Sequence, residues 1–243
     1  MSKPTVIVSD LHLGAVPESI RSAFSRFVRR WLGKAETLLI NGDLFDYWFE
    51  FRSVVPGQHF HTLRALADLR ESGVELILVG GNHDAWGGAF LEKTIGIELL
   101  QGPAELQIAG RRALIAHGDG LGPGDLGYKA LRRVLRSRPV VGAMRWVHPD
   151  LAAWIARKVT RTGAEMDRGN ERSLVRAAVL EEYAEKLLEE RPDLDLVVFG
   201  HCHLPQVKRV GPRGYYINSG DWVTHRTYTL VTADSIEQHE CVE

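Results

Sequence analysis

Five short apolar runs along the chain each end at a break that is followed by aspartate, asparagine or histidine. The runs are Thr5–Val8, Leu38–Ile40, Leu76–Val79, Ala113–Ala116 and Leu196–Phe199. Apolar runs of this length between turn residues predict short buried strands. Open α/β sheets place their ligand sites just beyond the carboxyl ends of their strands, which is where these polar residues occur. Because five such coincidences are hard to attribute to packing, we predict a single metal site assembled from five strand ends.

The segments between the first three runs have the 3.6-residue apolar period of amphipathic helices. One predicted helix begins at Pro17 and ends near Gly33, and a second extends from about Gln58 to Ser72. This alternation of strands and helices favours parallel strands joined by helical crossovers. The other expected elements are a short helix and connection at Leu91–Leu100, a hairpin at Glu105–Ala116, a helix at Glu171–Glu190, and an antiparallel set at Val207–Val210, Tyr215–Asn218, Thr227–Thr232 and Ile236–His239.

A long helical tract at about residues 122–168 separates the fourth run from the fifth. Arginine and lysine outnumber acidic residues in it, and they are interleaved with leucine, valine and tryptophan. Because the tract lies between two site-bearing strands, we interpret it as a helical cap inserted into one domain that spans residues 1–243.

Composition narrows the class of protein. Hydrophobic and charged fractions of 44% and 25% are those of an ordinary globular protein, which excludes fibrous and disordered classes. A formal net charge of −1 argues against a general nucleic-acid binder, so no specific nucleic-acid partner is expected. The two cysteines suggest no disulfide framework, and no apolar run has the length of a membrane span. We therefore expect a cytoplasmic protein, and the oligomeric state stays open.

The residue types that follow the five runs suit a metal site. Carboxylate, amide and imidazole groups are ligands for Mn²⁺, Fe, Zn²⁺ or Co²⁺. At a strand end, residues two apart point the same way, which would bring Asp10 together with His12 and His201 together with His203. Cys202 would then face away as an inert buried thiol. One D-x-H motif carries little information, whereas five motifs in this order are specific.

Together the motifs resemble those of the calcineurin-like metallophosphoesterase superfamily. They are D-x-H at Asp10–His12, G-D-x-x-D at Gly42–Asp46, G-N-H-D at Gly81–Asp84, H-G-D at His117–Asp119 and G-H-x-H at Gly200–His203. The resemblance covers nearly the whole chain outside the cap. It implies an α/β, four-layer αββα fold in which two packed mixed sheets carry two divalent metal ions at their strand ends.

The resemblance also implies a role for each motif residue. One metal would be held by Asp10, His12, Asp43 and His203, and the other by Asp43, Asn82, His117 and His201. Asp43 would bridge the two ions, for which Mn²⁺ is favoured over Fe, Zn or Co. Two such cations generate hydroxide at neutral pH and clamp a phosphoryl group for in-line attack. His83 would face the substrate as the catalytic imidazole, and Asp46 would orient it, although a helix-capping aspartate is the alternative for Asp46.

The remaining polar residues near the motifs are expected to have lesser roles. Asp84 and Asp119 would support the ligands or shape turns. His225 follows Asn218–Trp222 and is expected near the site. Four other histidines belong to no motif and are interpreted as structural or surface residues: His59, His61, His148 and His239.

A finer resemblance is to the UDP-2,3-diacylglucosamine pyrophosphohydrolase (diphosphatase) branch. It rests on the G-D-L-F-D-x-W form at Gly42–Trp48, on the position of the cap after His117–Asp119, and on Asp125 and Tyr128, which it implies bind substrate. It implies hydrolysis of the pyrophosphate to a lipid monophosphate and UMP during lipid A biosynthesis, by a protein peripheral to the inner face of the membrane. Apolar faces of the cap would shelter acyl chains and its arginines would meet anionic groups; a solvated basic surface over an ordinary hydrophobic seam is the alternative.

Position 83 keeps other functions open. The branch carries arginine there, whereas this chain has histidine, the form of the broader phosphoesterases. One alternative is therefore a phosphodiesterase or phosphomonoesterase of broader specificity, nucleases included. Another is a non-catalytic binding module of the same fold, which some trafficking-coat subunits resemble. We rank the module last because the chain retains every motif residue.

Overall fold

The structure is a computed structural model that describes residues 3–84, 86–122, 126–155 and 171–242. Its strands are β1 (Thr5–Val8), β2 (Thr37–Ile40), β3 (Glu75–Val79), β4 (Ile97–Leu100), β5 (Ala104–Ile108), β6 (Arg111–Ile115), β7 (Leu196–Phe199), β8 (Gln206–Val210), β9 (Gly214–Asn218), β10 (Thr227–Val231) and β11 (Ile236–Glu240). Its helices are α1 (Glu18–Arg30), α2 (Phe60–Glu71), α3 (Leu126–Leu135), α4 (Arg138–Met144), α5 (residues 149–155) and α6 (Glu171–Glu190), with a 3-10 turn at Gly57–His59 and a π-helical turn at Leu91–Ile95.

The first sheet has the strand order β11-β10-β1-β2-β3-β4. β1 to β4 are parallel, and α1 and α2 form the crossovers that the sequence predicts. Val8 pairs with Ile40, and Ile40 pairs with Leu78, so β1, β2 and β3 end close to the same level. The residues that follow these strands therefore emerge together at one edge of the sheet.

The second sheet has the order β5-β6-β7-β9-β8. β6, β7 and β9 are parallel, and β5 and β8 pair antiparallel at its two edges. Ile115 on β6 pairs with Val198 on β7, so these two strands also end side by side. The residues after them reach the same edge as those of the first sheet.

Alternate residues of each central strand face opposite layers. Ile7 and Leu39 lie between the two sheets, while Val6 and Val8 pack against the helices outside the first sheet. On the outer face of the second sheet, Leu180 of α6 packs in a cluster with Phe199. Strands buried on both faces read as unbroken apolar runs, which explains the pattern in the sequence. The layers run helix, sheet, sheet, helix, and the predicted αββα fold is confirmed.

Two element predictions were wrong. Leu91–Leu100 is not a helix followed by a connection, because β4 occupies Ile97–Leu100 as an edge strand of the first sheet. The strands after β7 do not form one antiparallel set. β9 pairs with β7, whereas β10 pairs with β1, so the two hairpins join different sheets. β4 was missed because exposed Glu98 interrupts its apolar run, as is common in an edge strand. The second error concerns pairing between strands that are distant in sequence, which local patterns do not encode.

The predicted cap is described in part. Residues 126–155 contain α3, α4 and α5, whereas 123–125 and 156–168 lie outside the described residues. In the described parts of the chain, no helix combines the length and hydropathy that a membrane crossing requires.

Candidate metal centre

The structure brings the carboxylates and histidines of the motifs together where the strands of both sheets end. His117 Nε2 lies 3.2 Å from Asp43 Oδ2 and 3.9 Å from Asp10 Oδ1. His203 Nε2 lies 3.3 Å from Asp10 Oδ1 and 3.4 Å from His12 Nε2. The first sheet thus supplies the two aspartates, and loops of the second sheet bring histidines against them.

Within this cluster, two groups of three side chains have the spacing of a metal site. They are Asp10, His12 and His203 in one group and Asp43, His117 and His201 in the other, each with its ligand atoms within 4.8 Å of one another. A third group with the same spacing, His12, Asp43 and His83, places His83 beside the candidate ligands. The third group shares His12 with the first group and Asp43 with the second. The groups are therefore adjacent, and together they have the residues to hold a pair of ions.

Several buried polar atoms of the motif residues fit bound cations. Asp10 Oδ1, Asn82 Oδ1 and His117 Nε2 have no hydrogen-bond partner of suitable geometry among the described residues. Burying such atoms without partners is costly, and folded proteins avoid it unless a ligand or ion satisfies them. Carboxylate oxygen, amide oxygen and imidazole nitrogen form a donor set for first-row divalent metals. The residues present therefore fit the metals that the resemblance implies.

Five of the seven non-glycine residues with positive φ in the described chain are candidate ligands. They are Asp10, His12, Asp43, His201 and His203, with φ between 46° and 66°. Left-handed backbone is unfavourable for residues with a Cβ, and such strain clusters at functional sites. The positive φ angles also correct the prediction that these pairs lie on extended strand ends, since β1 ends at Val8 and β7 ends at Phe199. The paired residues two apart reach the centre through left-handed turns and not through an extended strand.

Two motif glycines allow the loops to approach the ligands closely. A Cβ at Gly42 would lie 2.2 Å from His117 Nδ1, and one at Gly81 would lie 2.1 Å from Asp43 Oδ1. Neither gap can hold a carbon atom. The glycines of G-D-x-x-D and G-N-H-D are thus required by packing against the ligands themselves.

Main-chain groups orient the ligands. The amide N–H of His83 donates to Asp43 Oδ1, and that of His201 donates to Asp10 Oδ2, each at 3.0 Å. The other carboxylate oxygens therefore face the histidines. His117 Nδ1 donates to the carbonyl of Asn41 at 2.9 Å, which fixes the tautomer that leaves Nε2 free to bind a metal.

Asn41 was missed as a functional residue, because the sequence shows it only as a break after β2. Its side-chain Nδ2 donates to the carbonyl of Ala116 at 3.0 Å and so ties the end of β2 to the strand that precedes His117. Asn41 therefore positions His117 through both its side chain and its carbonyl.

Charge and burial act in opposite directions on the ligands. Burial opposes ionisation of Asp43, but His117 and His83 hold the pKa of its carboxyl well below its usual value. Burial also opposes protonation of His203, yet Asp10 and Asp221 raise its pKa to about 9. For His12 burial dominates and lowers the pKa to about 4. Burial likewise opposes protonation of His117, yet Asp43 and Asp10 raise its pKa. The carboxylates are ionised at neutral pH, and a bound cation would take the place of the protons that His117 and His203 carry beside them.

His83 is held by Asp46, but not in the expected way. His83 Nδ1 donates to the main-chain carbonyl of Asp46 at 2.8 Å, whereas the nearest carboxylate oxygen lies at 3.7 Å. Burial tends to lower the pKa of His83, and Asp43 together with the Asp46 carbonyl and carboxylate raises it above the usual value. The carbonyl is thus the closer group that orients the ring.

Two further aspartates support the ligands. Asp84 accepts hydrogen bonds from the amides of Gly81, Asp43 and Leu44, in line with the supporting role expected of it. Burial and the charge of Asp43 raise the pKa of Asp84 to about 6. Asp221 was missed, although it also follows an apolar run. Its Oδ2 accepts from His225 Nδ1 at 2.8 Å and lies 3.8 Å from His203 Nδ1, so His225 is linked to the centre through Asp221.

Residues outside the motifs have varied outcomes. His59 is buried, with its ring centroid 4.5 Å from that of Phe45, which agrees with a structural role. Asp125 lies outside the described residues, and Tyr128 is on α3 but its side chain is not described. Substrate binding by Asp125 and Tyr128 stays a prediction.

The sequence profile of the calcineurin-like phosphoesterase family matches residues 3–205. The chain belongs to this family of phosphoric ester hydrolases, and the resemblance seen in the motifs is confirmed.

Its relatives include proteins named UDP-2,3-diacylglucosamine hydrolase. The one from Porphyromonas gingivalis is 27% identical, over 99% of this chain and 100% of that protein. The one from Ralstonia nicotianae is 31% identical, over 91% and 85% respectively. The one from Escherichia coli O7:K1 is 29% identical, over 96% and 97%.

Proposed function

We propose that this chain hydrolyses the pyrophosphate bond of UDP-2,3-diacylglucosamine, giving a lipid monophosphate and UMP. The observation that carries the proposal is the extent of the similarity. Metal motifs define a reaction class but not a substrate, because one fold serves many substrates. The similarity to the Porphyromonas gingivalis hydrolase covers 99% of this chain and therefore includes the cap as well as the metal motifs.

Two divalent ions belong to the proposed mechanism. Asp10, His12, Asp43 and His203 would hold one, and Asp43, Asn82, His117 and His201 the other, with Mn²⁺ favoured over Fe, Zn²⁺ and Co²⁺. When bound, such a pair supplies hydroxide at neutral pH and stabilises charge on the phosphoryl oxygens. The chain contributes the ligand geometry, which is already set by hydrogen bonds from the main chain to both carboxylates.

His83 is the proposed catalytic imidazole. Its Nδ1 is occupied by the carbonyl of Asp46, so its Nε2 points to the centre and lies 3.8 Å from Asp43 Oδ2. A ring fixed in this way can donate a proton from Nε2 to the leaving oxygen or a hydrogen bond to the phosphoryl group. The bond from Nδ1 to the carbonyl keeps the ring from turning away.

Exposed apolar side chains on the cap support a lipid substrate. Trp146 is 78% exposed and Trp154 is 54% exposed, and Leu151 nearby is also exposed. The guanidinium of Arg52 lies 5.1 Å from the centroid of the Trp146 ring, so a cation accompanies this apolar surface. Large exposed apolar side chains beside positive charge suit acyl chains and anionic headgroups. We propose that the enzyme meets its substrate at the cytoplasmic face of the membrane through this surface.

A substrate panel with the Mn²⁺-loaded protein tests the proposal. It compares UDP-2,3-diacylglucosamine with UDP-N-acetylglucosamine, which lacks the acyl chains, and with a generic aryl phosphodiester. We expect UMP release from the lipid with a kcat/KM well above that of either control. Turnover of the aryl diester without turnover of the lipid would contradict the proposal.

A phosphoesterase of broader specificity is the second candidate, and His83 favours it. Histidine at this position is the form of the broader phosphoesterases, as the motif comparison indicates. The same panel separates the candidates, because a broad enzyme would hydrolyse all three compounds at similar kcat/KM. Hydrolysis of single-stranded DNA that falls steeply with salt would identify the nuclease version.

A further inference from the structure

The end of cap helix α3 is attached to the loop that carries Asn82 and His83. Arg136, directly after α3, donates from Nη2 to the carbonyl of Gly81 at 2.7 Å. In the opposite direction, Trp86 Nε1 donates to the carbonyl of Leu135 at 3.2 Å. The cap and this loop therefore hold each other through one side chain from each.

Arg136 also reaches a second metal-bearing motif. The same Nη2 lies 3.5 Å from Asp119 Oδ2, and the Asp119 side chain is only 2% exposed. A buried carboxylate requires a charged or hydrogen-bonded partner, and a guanidinium is suited to hold a carbonyl and a carboxylate together. Gly81 precedes Asn82, and Asp119 is two residues from His117. Arg136 thus joins the two loops that carry these candidate ligands.

The peptide that Arg136 holds is packed against the bridging carboxylate. A Cβ on Gly81 would lie 2.1 Å from Asp43 Oδ1, and the Gly81 amide donates to Asp84 Oδ1 at 3.0 Å. A small displacement of Gly81 would therefore move the main chain of Asn82 relative to Asp43. The position of Asn82 depends on what fixes the Gly81 carbonyl.

We propose that Arg136 is a positioning residue that couples the docking of the cap to the metal position formed by Asp43, Asn82, His117 and His201. With α3 docked, Arg136 contacts both Gly81 and Asp119; when α3 moves away, both lose this contact together. This inference rests on the proposed metal centre and deepens the proposed function. Because coupling between two sites is reciprocal, a bound metal favours the docked cap, and a substrate that holds the cap down favours the complete metal site.

Metal titration tests the first half of the coupling. Arg136→Met removes the contacts with Gly81 and Asp119 but keeps an unbranched apolar side chain. Arg133→Met is the matched control, since Arg133 is exposed on the same helix. In Mn²⁺ titrations without substrate, we expect Arg136→Met to lower the affinity for one of the two ions by about tenfold or more. This is the scale of a hydrogen bond from a charged donor. The Mn²⁺ affinity of Arg136→Lys should lie between those of Arg136→Met and the unmodified protein, and that of Arg133→Met should match the unmodified protein. Unchanged affinity for both ions in Arg136→Met overturns the inference.

Hydrogen exchange tests the reverse direction. Addition of Mn²⁺ should slow amide exchange in α3 in the unmodified protein and in Arg133→Met, and it should do so much less in Arg136→Met. A role in general stability would change exchange equally with and without metal. If Mn²⁺ leaves α3 exchange unaltered in the unmodified protein, the coupling is absent.

Kinetics with the small aryl phosphodiester exclude a direct substrate role. Positioning predicts a lower kcat with little change in KM for Arg136→Met. A raised KM with normal Mn²⁺ binding would mean that Arg136 binds substrate, which overturns the inference.

Trp86→Phe is the substitute variant if Arg136→Met fails to fold. It keeps a ring but removes the N–H, so it should weaken the affinity for the same ion to a smaller degree. If the unmodified enzyme fails to hydrolyse the lipid, only the proposed substrate is contradicted, because the metal titration contains no substrate.

Discussion

Buried polar side chains tied to the main chain hold the metal centre together, whereas the described part of the cap exposes much of its apolar surface. At the centre, the Asp10 and Asp43 carboxylates each accept an amide hydrogen bond and are almost fully buried. In the cap, α4 buries none of its residues, and Trp146 and Trp154 face solvent. A rigid centre suits one reaction, and an exposed apolar cap suits recognition of a particular substrate.

The same contrast appears in the helices. α1 buries Phe24 and Phe27 against the first sheet, as a helix of a stable core does. α3 has polar attachments to the core through Arg136 and Trp86. Apolar packing over a wide face resists displacement more than a few hydrogen bonds do. We therefore expect the cap to be displaced more readily than the metal centre.

Removing the carboxylate of Asp43, the proposed bridge, should produce the largest effect and break the centre without touching the cap. Asp43→Ala should lose both metal ions and reduce activity by about 10³-fold or more, the scale for loss of a main electrostatic element. Metal content by elemental analysis and aryl diester hydrolysis check it. Asp234→Ala, on an exposed turn between β10 and β11, is the control. Retention of two ions by Asp43→Ala would show that Asp43 is not the bridge.

His83→Ala should separate metal binding from turnover within the centre. We expect full metal content and a fall in kcat of about 10²–10⁴-fold, because only proton donation or charge stabilisation is lost. Elemental analysis and steady-state kinetics measure the two quantities on one preparation. An empty metal position in this variant would make His83 a ligand instead.

Changing the two exposed tryptophans of the cap, which lie apart from the Arg136 contacts in the sequence, should affect the lipid alone. Trp146→Ser combined with Trp154→Ser should lower kcat/KM for UDP-2,3-diacylglucosamine by about 10–100-fold, given the contribution of buried aromatic surface. Hydrolysis of the aryl diester should not change. Equal losses on both substrates would mean that the cap supports the centre and does not select the lipid.

Asp46→Asn should have the smallest effect. The main-chain carbonyl that orients His83 is retained, so kcat should fall by about tenfold or less. The kcat of this variant on the aryl diester provides the measurement. A loss as large as that of His83→Ala would show that the carboxylate, and not the carbonyl, governs the ring.

The sequence predicts the central strands well because each buried strand is an unbroken apolar run, whereas the order of the layers came from the family resemblance. The sequence misses β4 because exposed Glu98 interrupts the apolar run of this edge strand. It predicts the partners of β9 and β10 poorly, since β10 pairs with β1 from the other end of the chain and β9 pairs with β7 in the other sheet. The motif carboxylates and histidines lie together, because the parallel register brings the ends of the strands level. That these residues bind metal stays a prediction. Asn41 and Arg136 were missed because their contacts with the main chain of distant loops are not revealed by residue spacing. Asp221 could have been found, because it follows the apolar run of β9 as the motif residues follow theirs.

A Mn²⁺ titration followed by electron paramagnetic resonance tests the central claim most directly. We predict two ions per chain whose spins are coupled, because a shared carboxylate places two metals about 3.5–4 Å apart. The coupling should vanish in Asp43→Ala. One ion per chain, or two ions without magnetic coupling, would contradict the account.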